Sequence, residues 1–186
     1  MAPSKKDSVR GQLGTLEQRA QALYDEDWEF RDVLNEQDPM NVDTIVQRLF
    51  QEASEKITCR QCLNCCRELS PQFDDEDITK FSKGLGIPAS VFIERYLIED
   101  DDEPGMYLMR DQPCPFLGKD GCLHYELRPK ECVDFPHLDK KDFLCRTMSV
   151  ISDQAVCPIV FHVYQGLKAE TWGRRGRAKR GRSKKS

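Results

Sequence analysis

Four of the nine cysteines in this chain lie within eight residues, in the run C-R-Q-C-L-N-C-C at positions 59–66. A C-x-x-C turn brings two thiols to one side of a tight loop, which is the commonest half-site for structural zinc and a recurring unit of iron–sulfur ligation. A third cysteine three residues further on gives C-x-x-C-x-x-C, a spacing that lets a loop wrap a polynuclear cluster. The run therefore predicts a metal site that ties down the surrounding chain.

The adjacent pair Cys65 and Cys66 adds a second constraint. Neighbouring side chains in an irregular or extended backbone point in divergent directions, so the two thiols would rarely bind one ion together. The pair therefore indicates a second site, or a polynuclear centre that is approached from two sides. Two remote Cys-Pro pairs begin at Cys114 and Cys157, and bacterial-type ferredoxins take a ligand from such a pair. Spacing and thiol count favour an iron–sulfur cluster, while zinc bound by four thiolates stays open.

Composition indicates why such a chain would need a metal. Hydrophobic residues make up 39% and charged residues 32% of the 186 residues, so the apolar core should be small, and small cores usually need disulfides, metal or a partner. The first twenty residues hold no apolar stretch of signal-peptide length, and no run reaches the length of a membrane helix. We therefore expect a cytoplasmic protein without membrane contact, in a reducing compartment where stable disulfides are rare.

The spacing of apolar residues divides the chain into three parts. Residues 1–40 are expected to form a polar, partly helical N-terminal extension, residues 41–170 a cysteine-cluster metal-binding domain, and residues 171–186 a disordered basic tail. The strongest predicted helix runs from Val42 to Ile57, with Asn41 or Asp43 as its cap. The predicted fold is a small α-rich domain of four or five short helices, with irregular, metal-stapled loops and at most a short β hairpin.

Basic residues are concentrated near the C-terminal end. Eight lysines and arginines lie between Arg174 and Lys185 without one acid, and removing their charge from the net charge of −4 leaves −12 for the rest of the chain. Such a segment can bind the phosphates of RNA or DNA with weak sequence specificity. It can equally keep the protein in solution or fold back on the acidic body, and no aromatic residue is interleaved with it for base stacking. Nucleic acid is thus one candidate partner.

Four motifs together resemble the YkgJ-type cysteine-cluster family, which is described as a zinc- or iron-chelating domain with eight cysteines. The motifs are C-R-Q-C-L-N-C-C at 59–66, C-P-F-L at 114–117, G-C-L-H-Y-E-L-R-P-K-E-C at 121–132 and F-P at 135–136. The resemblance spans roughly residues 56–168 and implies eight metal ligands, which are Cys59, Cys62, Cys65, Cys66, Cys114, Cys122, Cys132 and Cys157. It gives no role to Cys145.

Three classes of function stay open. The chain is a metal-binding protein of this type, an iron–sulfur enzyme that modifies a protein side chain, or a zinc-stabilised adaptor whose tail binds nucleic acid; a protein partner is compatible with the first. The resembling family includes flagellin lysine N-methylases, which are much longer chains. This sequence has no Gly-rich nucleotide loop, nucleophile elbow or H-E-x-x-H helix, so enzymatic activity is the weaker expectation and no catalytic residue is assigned. His124 and His137 are further candidate ligands because they lie among the remote cysteines.

Overall fold

The structure, a computed structural model, describes residues 5–172, without the side chains of residues 5–15 and Gln61. The segment from Arg174 to Lys185 lies outside the described residues, and so do the disorder and the nucleic-acid contact predicted for it. The chain forms two compact units. The first unit is built from the chain up to Thr58 and from Pro136 onward, and the second unit is Cys59–Phe135.

Nine α-helices lie within the described residues, more than the four or five that were expected. They are α1 Lys5–Leu34, α2 Pro39–Lys56, α3 Cys59–Cys62, α4 Cys65–Glu68, α5 Asp75–Leu85, α6 Ala89–Tyr96, α7 Lys130–Asp134, α8 Thr147–Asp153 and α9 Pro158–Thr171, with 3₁₀ helices at Tyr125–Leu127 and Phe143–Arg146. Helices of about one turn, such as α3, α4 and α7, are too short for an apolar period to show in the sequence. Among the described helices, none combines the length and apolarity needed to cross a membrane.

The β structure consists of short antiparallel strands in the second unit. The strands are β1 Gln72–Phe73, β2 Leu97–Glu99, β3 Tyr107–Met109, β4 Leu117–Gly118 and β5 Gly121–Cys122. The first three form a sheet in the order β1-β3-β2, and β4 pairs with β5. With helices dominant and strands of only two or three residues, the predicted α-rich class is confirmed.

In the first unit, α2 begins at a residue that the sequence argument passed over. The Asp38 carboxylate accepts a hydrogen bond from the backbone N–H of Asn41 at 3.0 Å, and Pro39 opens the helix. The prediction that Asn41 or Asp43 would cap α2 is therefore wrong, because proline favours the first helical position and moves the cap to the residue before it. Asp43 instead accepts hydrogen bonds from two backbone N–H groups at the start of the 3₁₀ helix Phe143–Arg146.

The apolar stripe predicted for α2 does form core. Val42, Val46 and Ala53 are buried, and α2 packs on α9. At the crossing, a Cβ atom added to Gly166 of α9 would lie 3.2 Å from a methyl group of Leu49. A side chain at Gly166 would therefore press on Leu49, which explains how α2 and α9 approach each other so closely.

A buried polar cluster joins α1 to α9 in the first unit. The Lys168 ammonium donates a hydrogen bond to the Asp27 carboxylate, and the two side chains are 0% and 1% exposed. The same carboxylate accepts hydrogen bonds from the amides of Gln154 at 2.9 Å and Gln165 at 3.0 Å, and the Tyr164 hydroxyl donates to the Asp27 carbonyl. Buried charges are tolerated when they are paired and hydrogen-bonded in this way.

The second unit has its own aromatic core. Its buried residues are Phe73, Ile78, Phe81, Phe92, Leu97, Met109 and Phe116. The ring of Phe81 lies 4.7 Å from that of Phe116 and 5.2 Å from that of Phe92, measured between centroids. The buried faces of α5 and α6 contribute Ile78, Phe81 and Phe92 to this core, and Gly86, whose φ of 69° is left-handed, caps the end of α5. Cys114 and Cys122 pack against this core.

Candidate metal centre

The run at 59–66 folds as two consecutive one-turn helices. Cys59 and Cys62 are the first and last residues of α3, and Cys65 and Cys66 begin α4. The turn between them depends on Leu63, whose φ of 58° is left-handed and whose N–H donates to the Cys59 carbonyl at 3.2 Å. This tight reversal brings all four cysteines of the run into one short stretch of structure.

The adjacent thiols of Cys65 and Cys66 face each other more closely than the sequence argument assumed. Both residues lie in α4, and the Cys65 thiol donates a hydrogen bond to the sulfur of Cys66. The argument for divergent directions applied to irregular or extended backbone, whereas neighbours on a helix are only about a quarter-turn apart. The pair on its own therefore gives no reason to postulate two separate sites.

Cys114 is tied directly to α4. Its backbone N–H donates to the Cys66 carbonyl at 2.9 Å. Two residues earlier, the Gln112 side-chain amide donates to the Leu69 carbonyl at 2.6 Å and to the Ser70 hydroxyl at 3.0 Å. These bonds hold a loop without regular structure beside α4, so that a thiol remote in sequence joins the first four.

Cys122 reaches the same region through the pairing of β4 with β5. It lies opposite Leu117 in this two-residue ladder, and the next residue, Leu123, donates its N–H to the Phe116 carbonyl at 2.9 Å. Since Leu117 donates to the carbonyl of Cys114, backbone hydrogen bonds connect Cys114 and Cys122 across the hairpin.

Cys132 lies on α7, which is docked to α5 by a buried carboxylate. Asp77 is 5% exposed and accepts the backbone N–H of Lys130, the first residue of α7, at 3.1 and 3.2 Å. The Lys130 ammonium in turn bonds the carboxylates of Asp74 and Glu76, each at 2.8 Å. An acceptor at a helix N-terminus satisfies a donor that has no partner within the helix, and here it also fixes where Cys132 sits.

Burial makes most of these thiols reluctant to ionise. It raises the pKa of Cys62, Cys114 and Cys122, and it raises that of Cys132 to about 12. It also raises the pKa of the Cys59 thiol, although Cys59 as a whole residue is exposed. Cys66 is the exception, because the Cys65 thiol donates to it and lowers its pKa to about 7. A charge on Cys66 raises the pKa of each of the five thiols with a raised pKa, so each of these lies within electrostatic reach of Cys66.

Residues 58–155 match the family model CxxCxxCC, described as "Putative zinc- or iron-chelating domain", over more than half of the chain. The chain belongs to this family. A comparison with curated proteins finds no significant match, and neither does a comparison with solved structures. The family resemblance drawn from the four motifs is thereby confirmed, and zinc or iron chelation is the function that the family description assigns to a CxxCxxCC domain.

The donor set fits such a metal. The second unit of this CxxCxxCC protein brings together seven thiols, and thiolates are the ligands that zinc and iron–sulfur clusters prefer. All nine cysteines lie within the described residues, and none forms a disulfide. Among the described side chains, no three from cysteine, histidine, aspartate and glutamate converge closely enough to hold an ion as they stand. Metal binding would therefore require sulfur atoms to move closer together than they stand.

The remaining two cysteines lie in the first unit. Cys157 is 8% exposed and occupies the residue before the first turn of α9, whereas Cys145 is exposed in the 3₁₀ helix Phe143–Arg146. The residues matched by the CxxCxxCC model include Cys145 and end before Cys157. The ligand role that the resemblance implied for Cys157 stays a prediction.

The two candidate histidines have different surroundings. In the second unit the His124 ring packs edge-on against Phe81 and Phe116, with centroids 5.8 and 5.6 Å away. In the first unit His137 has a left-handed φ of 57°, and its carbonyl accepts a hydrogen bond from Arg146. His124 thus serves as part of the aromatic core that supports Cys114 and Cys122.

Sequence reasoning missed the residues that hold the thiols in place. The sequence does not distinguish Asp77 from the other acids at the start of this helix, and it does not distinguish Arg128 from an ordinary surface charge. The positive charge of Arg128 helps to lower the pKa of Cys66, and it opposes the rise that burial causes in the pKa of Cys59, Cys122 and Cys132. The signal available was its position inside the motif R-P-K-E-C, four residues before Cys132.

Proposed function

We propose that the second unit binds an iron–sulfur cluster through its cysteines, and that the chain acts as a metal-binding protein of the YkgJ type rather than as an enzyme. The observation behind this proposal is the gathering of seven thiols in one compact unit of 77 residues, Cys59–Phe135. A zinc ion takes four ligands. A single zinc would therefore leave three thiols of this unit without a role, and so would a single four-cysteine cluster, so the count indicates thiolate ligation and the order of the cysteines favours the cluster.

The order of the cysteines also favours an iron–sulfur cluster. C-x-x-C-x-x-C on two consecutive one-turn helices presents three thiols from a short stretch, and Cys114, placed by its bond to Cys66, begins one of the Cys-Pro pairs. A short multi-cysteine run with one remote Cys-Pro is the arrangement of bacterial-type ferredoxins. A bound cluster would supply one-electron chemistry or a cross-link between loops.

The protein's own residues suit either of those tasks. The aromatic core around Phe81 and Phe116 shields one side of Cys114 and Cys122, and a dry surrounding lowers the effective dielectric around bound charge. Asp77 and Gln112 hold α7 and the Cys114 loop by hydrogen bonds that do not involve sulfur. Metal binding would then add to folding free energy, as is common for small metal-binding domains.

Anaerobic purification of the full chain tests the proposal. We expect a brown protein with broad visible absorption, and iron and acid-labile sulfide in equal amounts. A colourless protein with stoichiometric zinc would replace the iron–sulfur proposal by the zinc one, and a protein with neither metal would end both.

A matched pair of variants localises the metal. Cys132→Ala removes a thiol on α7 inside the second unit and should lose most of the metal. Cys145→Ala removes an exposed thiol in the first unit and should keep it. Equal metal content in the two variants would show that Cys132 is not a ligand.

A further inference from the structure

Tyr125 lies between two guanidinium groups in the second unit. The Cζ atoms of Arg128 and Arg60 lie over its ring, 3.6 and 4.0 Å from the centroid. Two guanidinium groups at these distances would overlap if they shared a face, so they lie on opposite faces of the ring. Guanidinium groups are attracted to the negative face of an aromatic ring. The three side chains, called the Arg60–Tyr125–Arg128 stack below, form one continuous unit.

Arg128 is fixed in this stack by hydrogen bonds as well. Its Nε donates to the Tyr125 carbonyl at 2.9 Å, and its Nη1 donates to the Cys132 carbonyl at 3.4 Å. The Arg128 carbonyl accepts a hydrogen bond from Lys80 at 3.2 Å. A guanidinium that donates to two carbonyl acceptors and rests on a ring face has little freedom to move away, so its charge stays at one place.

The 3₁₀ helix that bears Tyr125 is seated firmly on α5. A Cβ atom added to Gly84 would lie 2.2 Å from a methyl group of Leu127. Only glycine leaves room for Leu127 at this crossing, since a shift of that size would disturb the packing around it. The stack therefore stands on the same helix, α5, that positions α7 through Asp77.

The stack joins segments that contain cysteines. Arg60 lies in α3 between Cys59 and Cys62, and Arg128 lies two residues before α7, which holds Cys132. Through the Arg128 hydrogen bond to the Cys132 carbonyl and the position of Arg60 in α3, the stack connects the segments that bear Cys59, Cys62 and Cys132. A metal bound by several thiolates gathers negative charge that exceeds the charge of the ion. A fixed positive charge beside it offsets that excess.

We propose that the Arg60–Tyr125–Arg128 stack is a positioning and charge-compensating device for the thiol group, and that it sets how tightly the unit holds a thiolate-bound metal. This inference rests on the metal binding proposed above. Arg60 and Arg128 are positioning residues because they supply no ligand atom. Residues that surround metal ligands commonly change affinity by about ten- to a hundredfold when they are replaced.

The test uses the full chain, stripped of metal under reductant and titrated with Zn²⁺ or Co²⁺ against a competing chelator. Arg128→Met removes the charge and should weaken Zn²⁺ binding by about ten- to a hundredfold. Arg128→Lys keeps the charge without the stack and should recover part of the loss. The thiolate-to-metal absorption per bound Co²⁺ should stay unchanged in both, because no ligand is removed. A purely structural role would not be rescued by lysine and would alter this absorption.

Arg110→Met is the matched control. Arg110 also donates to a backbone carbonyl in the second unit, that of Leu97 at 2.7 Å, but it is not part of the stack. Zinc affinity in Arg128→Met within twofold of wild type, or an equal loss in Arg110→Met, would overturn the inference. If Arg128→Met does not fold, Arg60→Met decides, since Arg60 is exposed: a loss of threefold or more supports the stack, and an unchanged affinity refutes it.

Failure of this inference and failure of the proposed function give different results. Wild-type protein that shows no thiolate-to-metal absorption with Co²⁺, and that holds no iron after anaerobic purification, contradicts metal binding itself, and the stack then has nothing to tune. Wild-type protein that binds both ions while every variant binds them equally well contradicts only the role of the stack.

Discussion

The Asp27–Lys168 pair permits a quantitative test of what holds the first unit together. Lys168→Met keeps the apolar stem of the side chain and removes only the ammonium. The Asp27 carboxylate, 1% exposed, would then lose its cation but keep the amide donors of Gln154 and Gln165 at 2.9–3.1 Å. Asp27→Asn removes the negative charge instead, and it leaves the buried Lys168 ammonium with Glu26, whose carboxylate lies 3.2 Å away.

The expected magnitudes follow from these partners. Removing one member of a buried ion pair costs about 3–5 kcal/mol. Both variants leave a partner for the remaining charge, the two amides for Asp27 and the Glu26 carboxylate for Lys168, so we expect each near the lower end, about 3 kcal/mol. A loss of about 3 kcal/mol lowers Tm by about 6–12 °C for a chain of this length. The double variant removes both buried charges of the pair and takes Lys168 only from Glu26, whose side chain is 24% exposed, so it should cost less than the sum by about 2–3 kcal/mol.

Urea denaturation of the full chain, with all variants in the same metal-free and reduced state, measures these differences. Lys56→Met is the matched control, since Lys56 is exposed at the end of α2 in the same unit; its change should stay within about 0.5 kcal/mol. A cost below about 1 kcal/mol for Lys168→Met, or strictly additive costs in the double variant, would contradict the buried pairing.

Three further outcomes concern the thiols and their supports. If the cysteines of the second unit hold the metal, Cys157→Ala in the first unit should keep its metal content, as Cys145→Ala should. Loss of metal from Cys157→Ala alone would instead support the ligand role that the resemblance implied for Cys157. Zinc affinity should rise with pH by roughly tenfold per unit for each proton displaced. The reason is that burial raises the pKa of Cys62, Cys114 and Cys132 and keeps these thiols protonated before metal binds. Affinities that stay flat between about pH 6.5 and 8.5 would show that the ligands are already ionised. Asp77→Ala should lower the free energy of unfolding by about 1–3 kcal/mol because it leaves the Lys130 N–H without its acceptor. Asp77→Asn keeps one acceptor oxygen and should lower it by less. Equal denaturation midpoints for the two variants would contradict the role of that hydrogen bond.

The parts of the fold that could be predicted from the sequence are those with a long apolar period or with a residue of strong conformational preference, such as proline. Val42 and Val46 repeat at helical spacing and are buried, and Pro158 opens α9 next to Cys157 as expected of proline. The cysteine run was visible because cysteine at such spacing has few other uses. In each case the information lies within about twenty neighbouring residues, where local rules apply.

The parts that could not be predicted depend on partners far apart in the chain. Lys168 and Asp27 are 141 residues apart, and neither differs in sequence from a surface charge. Asp77 and Lys130 are likewise joined across 53 residues. A charged residue is normally exposed, so only the folded chain shows which charges are buried, paired and used to hold Cys132 or α9.

The hydrogen bond between the Cys65 and Cys66 thiols leads to the last prediction. Since the two sulfur atoms meet on α4, both can face one polynuclear centre, and a second site is not needed to use them. Cys65→Ala and Cys66→Ala should then lower iron content in parallel, and the double variant should lose little more than either single one. If each single variant instead kept about half of the iron and the double variant kept none, the thiols would serve two centres. In that case the contact in α4 would have to break when metal binds, with each sulfur turning to its own cluster.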